Sequence, residues 1–94
     1  MHITACVLDV GIPGSKSLKE KRGRIQPLLS HLKSQFGLAV AEIARQDQRD
    51  GATVACVAVS TSTAQNERVL QSALRWIETH RPDLEVFNAQ IEQR

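Results

Sequence analysis

The hydrophobic pattern divides the chain into six segments. Residues 2–11, His-Ile-Thr-Ala-Cys-Val-Leu-Asp-Val-Gly, are mostly β-branched and small apolar types, the composition of a strand. Gly11-Ile12-Pro13-Gly14 ends it with turn residues. From Leu18 the period becomes helical, with Leu18, Ile25, Leu28, Leu29, Leu32 and Phe36 on one stripe and Gly37 at the stopping position. Ser17-Leu18-Lys19-Glu20 is a capping box for that helix, with Ser17 accepting the Glu20 N–H and Glu20 reaching back to Ser17. Residues 38–45 are apolar and predict a second strand. The polar run 46–51 closes on Asp50-Gly51, a hairpin signal. Residues 52–60 form the cleanest strand. Ser62-Thr63-Ala64-Gln65 then opens a second helix whose stripe is Val69, Leu70, Ala73, Leu74 and Ile77. Pro82-Asp83 closes it. Glu85 to Ile91 predicts a last strand with Phe87, Ala89 and Ile91 on one face.

The order β-α-β-β-α-β with right-handed crossovers folds most simply as a ferredoxin-like α+β sandwich, and residues 1–94 are expected to form a single domain of this kind. Its four-stranded antiparallel sheet carries both helices on one face, and the first and third strands lie in the centre. Those two strands are apolar on both sides. Ile3, Ala5 and Val7 oppose Cys6, Leu8 and Val10; Val54, Cys56 and Ala58 oppose Ala55, Val57 and Val59. Two helices cover one face only, so the second face is expected to be covered by another copy, giving a homodimer.

Composition changes this picture little. The apolar fraction of 41% and charged fraction of 23% are ordinary for a folded domain. Cys6 and Cys56 sit in apolar runs at no metal or redox spacing, which suits buried thiols in a reducing compartment. No charged-then-apolar leader and no membrane-length apolar run occurs, so a cytoplasmic protein is expected.

Charge is more informative. The net +2 conceals an imbalance: residues 1–47 carry seven Lys/Arg against four Asp/Glu, and residues 48–94 carry five against six. Lys16, Lys19, Lys21, Arg22, Arg24 and Lys33 all fall in one short segment, with Glu20 as the single acid among them. A helix start carries partial positive charge and favours acids, so cations there work against the dipole. At ~100° per residue, Lys19, Arg22 and Lys33 share one side with Gln26 between them. Lys21 instead projects into the stripe of Leu18, Ile25 and Leu28, where it must snorkel outward or pair with an acid; Asp9 is the expected partner. Free N–H groups reinforced by Lys and Arg suit phosphate, and a row of them suits an RNA backbone. The six cations are therefore the candidate RNA- or anion-binding residues, which Arg45 and Arg49 extend if their loop swings to that side.

Other chemistry finds less support. Gly11-Ile12-Pro13-Gly14-Ser15-Lys16-Ser17 fails the P-loop pattern, because Ser15 separates glycine from lysine. Gly11-x-x-Gly14 matches a KH loop but follows a strand. His2, His31 and His80 have no metal-ligand spacing, and no Ser or Cys has a base at a recognisable distance in sequence. Trp76 reads as core margin or interface. No aromatic pair marks a base-stacking sheet. No catalytic residue, metal or cofactor is expected.

The run Ser17-Leu18-Lys19-Glu20-Lys21-Arg22 resembles the YlxP-like family of small bacterial proteins of unknown function. So do Ala39-Val40-Ala41-Glu42, the following Gln46-Asp47, and Val57-Ala58-Val59-Ser60, and the likeness covers nearly the whole chain. Where members of that family often carry a tryptophan and further apolar residues, this chain has Gln48-Arg49-Asp50-Gly51. The resemblance implies a ferredoxin-like fold, frequent dimerisation and gene neighbourhoods shared with translation and ribosome-maturation factors, and it implies no catalytic residues. The combined expectation is a non-enzymatic accessory protein that contacts RNA or ribosomal particles through the helix start, without DNA specificity or membrane attachment. The alternatives are a protein-interaction or regulatory module acting as a dimer through the open sheet face, and a domain that binds a small phosphate ligand.

Overall fold

Alternation along the first strand decides which side of the sheet becomes the core. Thr4, Cys6, Leu8 and Val10 are sealed, while Ile3, Ala5, Val7 and Asp9 are half-exposed. In the computed structural model, which describes all of residues 1–94, the order is β1 (His2–Gly11), α1 (Leu18–Phe36), β2 (Ala39–Ala44), β3 (Gly51–Ser60), α2 (Thr63–His80) and β4 (Glu85–Gln93). The sheet runs β2-β3-β1-β4 with every neighbouring pair antiparallel. This is the ferredoxin-like sandwich expected from the hydrophobic pattern.

β1 and β3 pair in full register from His2↔Ser60 to Gly11↔Gly51. Strict two-residue alternation therefore places Cys6, Leu8 and Val10 beside Val54, Cys56 and Ala58 on the inner face. Ile25, Leu28 and Leu32 from α1 and Leu70, Ala73 and Ile77 from α2 close over them. Two buried polar residues, Thr4 and Asn66, bond to each other: Asn66 Nδ2 donates to Thr4 Oγ1 at 3.2 Å and to the His2 carbonyl at 3.0 Å, locking the start of α2 to β1.

The last strand departs from the simple alternation. Phe87 pairs with Asp9 and so lies on the open face, whereas Ile91 pairs with Cys6 on the helix face. The register shifts between Val7 and Asp9, and Asn88 takes a left-handed backbone at φ 54°. One extra residue inverts the side on which every later side chain emerges. Phe87, Ala89 and Ile91 consequently do not share a face.

No helix covers the outer face of the sheet. Ile3, Ala5, Val7, Ala55 and Val57 are half-buried by their neighbours alone, and Val59 is 60% exposed.

Candidate anion-binding face of the first helix

α1 begins as its sequence dictates. Ser17 is the cap, in an extended backbone, and its Oγ accepts the Glu20 N–H at 3.1 Å. The returning arm reaches one residue further than a standard capping box: Glu20 Oε2 accepts the Lys16 N–H at 2.8 Å. At the other end Gly37 adopts φ 65° and sends its N–H back to the Leu32 carbonyl, a position that favours glycine.

Between these ends the six candidate cations separate into two kinds. Lys21 turns inward and is 4% exposed. Its Nζ lies 2.6 Å from Glu42 Oε2 on β2 and donates to the carbonyls of Arg45 and Gln48, each at 2.8 Å. The ammonium thus has two carbonyl acceptors and one carboxylate against it. Glu42 Oε2 is itself shielded from solvent and outside regular hydrogen-bond geometry, so the ammonium is its whole compensation. Lys21 fastens the β2–β3 loop to α1 and is removed from the anion-facing set. Its partner is Glu42, not Asp9. Asp9 sits at an odd position of β1, on the opposite face of the sheet. There Asn88 Nδ2 and Thr53 Oγ1 donate to it, with Arg45 at 3.7 Å, and these contacts hold its carboxyl below the usual range.

Arg24 is also engaged internally. Its Nη1 donates to the Pro13 carbonyl at 2.6 Å, its Nη2 to the Asp83 carbonyl, and its Nε lies 3.4 Å from Asp83 Oδ2. Arg81 joins from the other side, donating to the Arg24 carbonyl at 2.8 Å and to Asp83 Oδ1 at 3.1 Å. Hydrogen bonds from Arg81, with its charge and a weaker one from Arg24, hold the Asp83 carboxyl below its ordinary range. This knot joins the turn before α1 to the turn after α2, and Arg24 too leaves the free set.

The remaining four stay outside. Lys16, Lys19, Arg22 and Lys33 are exposed and form no ion pair. Arg22 stands at the rim of a small cleft of ≈ 50 Å³ whose walls are Leu18, Lys21, Ile25, Gln26, Glu42 and Gln46. Because Lys21 holds the β2–β3 loop to α1, that loop borders the same side as Arg22. Along α1 between Arg22 and Lys33 the exposed residues are Gly23, Gln26, Pro27 and Ser30, all uncharged.

Two of these are unusual. Pro27 stands inside the helix, and its missing N–H leaves the Gly23 carbonyl, four residues earlier, without its intrahelical donor. A Cβ on Gly23 would meet nothing within 4 Å, so no close packing demands glycine there. The sequence pattern shows both residues inside a helical stripe, but neither the partner of Lys21 nor the clamp made by Arg24 is legible without the fold.

No aromatic face is free beside the cations. Trp76 is stacked on both sides, by His31 at 3.7 Å and 15° and by His80 at 5.0 Å and 12°, with Phe36 at its edge 6.5 Å away. Cys6 and Cys56 are free thiols directly opposite each other in the core. Burial pushes Cys56 up to about 12 and Cys6 in the same direction. No helix is long and apolar enough to cross a membrane.

Residues 3–91 match the family described as "Protein of unknown function (DUF503)". The chain belongs to this family. A relative of the DUF503 chain is the "Uncharacterized protein YlxP" of Bacillus subtilis (strain 168), 35% identical over 69 residues, or 73% of this chain and 74% of the relative. Solved structures similar to it report on the fold alone. A de novo designed protein with a ferredoxin fold matches with TM-score 0.56 at 8% identity, over 100% of this chain and 84% of the other. The VAO-type flavoprotein MtVAO713 from Myceliophthora thermophila C1 matches with TM-score 0.60 at 15% identity over 99% of this chain, which spans only 18% of the flavoprotein.

Proposed function

We propose that this DUF503 protein is a non-enzymatic accessory protein that docks RNA, free or within a ribosomal particle, through the outer face of α1. The observation that carries the reading is the division among the cations along α1, of which Lys16, Lys19 and Arg22 stand free at its start and Lys33 stands free in its last turn. Lys21 and Arg24 are neutralised by Glu42 and Asp83, while Lys16, Lys19, Arg22 and Lys33 have no carboxylate against them. Each exposed cation at a positive dipole end works against helix stability, and a phosphate backbone reverses that cost. The contacts are to phosphates, so little base preference follows. Four contacts support weak binding, with Kd about 10⁻⁴–10⁻⁶ M at physiological salt.

The test is fluorescence anisotropy with a labelled RNA at several salt concentrations. Replacing Lys19, Arg22 and Lys33 together by Glu should weaken binding and flatten log K against log salt by at least 2, since each lost contact removes roughly 0.7–0.9 of the slope. Equal affinity of variant and parent at low salt would end this reading.

A second reading is favoured by the uncovered sheet face. A strip of Ile3, Ala5, Val7, Ala55, Val57 and Val59 is wider than an isolated apolar residue, and it is continuous across β1 and β3. It supports a homodimer packed sheet to sheet. α1 faces away from that surface, so each copy would keep its cations free and two weak contacts would act together. Val57→Glu should convert a dimer to a monomer in sedimentation velocity; a parent that is monomeric at high concentration contradicts it.

A further inference from the structure

The outer face of α1 carries positive charge at its two ends and none between them. Lys19 and Arg22, with Lys16 just outside the helix, form one end, and Lys33 forms the other. Lys19 and Lys33 are fourteen residues apart, about 21 Å along a helix axis. The helix holds this spacing fixed. A flexible single strand must be ordered to meet it, and the compensation it usually finds is stacking on aromatic rings. Neither face of Trp76 is available, because His31 and His80 occupy both. Phe36 packs against the core, and Phe87 is on the open sheet face, away from α1. A duplex presents its phosphates already ordered.

The middle of the face adds a second, independent observation. Gly23 and Pro27 are the poorest helix formers, and both sit on the solvent side, where a Cβ on Gly23 would meet nothing within 4 Å. Together they give a low, uncharged stretch and a carbonyl, that of Gly23, released from its helical donor by Pro27. The complementary group is a hydrogen-bond donor lying between two phosphate rows. The wide, shallow minor groove of A-form RNA displays such donors as 2′-hydroxyls, and DNA lacks them.

We propose that the partner is double-helical RNA, with its phosphates on Lys16, Lys19, Arg22 and Lys33 and a 2′-hydroxyl donating to the Gly23 carbonyl. This rests on the RNA-docking reading above and names the form of RNA. The experiment compares a 20-base-pair RNA duplex, its single strands and the same DNA duplex by anisotropy at low and moderate salt. The expected order is RNA duplex tightest, DNA duplex several-fold weaker and single strands weakest. Pro27→Ala restores an N–H to the Gly23 carbonyl. It should reduce the preference for RNA over DNA duplex towards unity while leaving the salt slope unchanged. Single strands bound as tightly as duplex overturn the duplex proposal and leave the docking reading intact. DNA and RNA duplexes bound alike by the parent, or a preference unchanged in Pro27→Ala, overturn the 2′-hydroxyl contact. No binding to any of the three overturns the docking reading itself.

Discussion

Lys21 and Arg22 are adjacent in sequence and opposite in environment. Lys21 is buried with three partners, a carboxylate and two carbonyls. Arg22, one residue and ~100° further round the helix, is exposed and has none. Arg24 repeats the first pattern with Pro13 and Asp83, and Lys19 repeats the second. A basic run is therefore not one feature. Its inward members join the β2–β3 loop, the turn before α1 and the turn after α2 to the helix, and its outward members are left for something else. Charge count describes neither role; the angle around the helix does.

The comparison breaks most clearly at Lys21. Lys21→Met keeps the volume and removes the charge, leaving Glu42 unpaired and two loop carbonyls without a donor. It should destabilise the fold by about 3 kcal/mol in urea unfolding. Lys19→Met or Arg22→Met should stay within about 0.5 kcal/mol of the parent. If the inner and outer substitutions cost the same, the division has no energetic meaning.

Pro27 sharpens the comparison from the opposite side. A proline in an exposed helix interior is unfavourable by up to about 3 kcal/mol relative to alanine. Pro27→Ala should therefore raise the unfolding free energy by about 1–3 kcal/mol. A loss of stability would mean that Pro27 serves the fold, and it would remove the main reason to assign it to a partner.

Arg24→Ala should be smaller, about 1–2 kcal/mol, because Arg81 still holds Asp83. The pH dependence follows from the lowered carboxyl. Asp83 is charged more readily folded than unfolded, so its contribution is complete above the ordinary value of 3.8 and fades as pH falls below it. Arg81 is the first cause of that shift. Thermal melts between pH 2.5 and pH 6 (about one unit either side of the carboxyl range) should therefore lose more of their acid dependence in Arg81→Ala than in Arg24→Ala. The reverse ranking would reassign the knot.

The smallest effect at neutral pH belongs to the thiol pair. Cys56 is held neutral to about 12, against an ordinary 9.0. Its contribution is intact below the ordinary value and is lost as pH rises through the interval between the two. A disulfide reagent at pH 8 should react with neither Cys6 nor Cys56 until the chain unfolds. Fast labelling of the native protein would show that the core opens locally at the β1–β3 pair.

How far the sequence reached varies along the chain in a physical way. The six elements are legible because each declares its own period, cap or turn, as with Ser17 and Gly37 on α1 or Asp50-Gly51 before β3. The faces of β4 are not, because the alternation of Phe87, Ala89 and Ile91 is undone by the bulge at Asn88, which depends on pairing with β1. The burial of Lys21 is readable from its place in the apolar stripe. Its partner is not, since Glu42 comes into reach only when β2 packs beside α1. The odd position of Asp9 in β1 assigns it to the outer face and excludes it as the partner of Lys21. The clamp made by Arg24 is the least legible in the sequence, because its partner Asp83 lies 59 residues further on.

The central claim is that Arg22 and its outward neighbours remain unpaired because a phosphate backbone occupies them. Titrating a labelled RNA duplex with Arg22→Glu and with the parent in low-salt buffer tests it most directly. The account predicts clearly weaker binding for the variant, at unchanged thermal stability, with the gap narrowing as salt is added. Superimposable binding curves for the two proteins would contradict it.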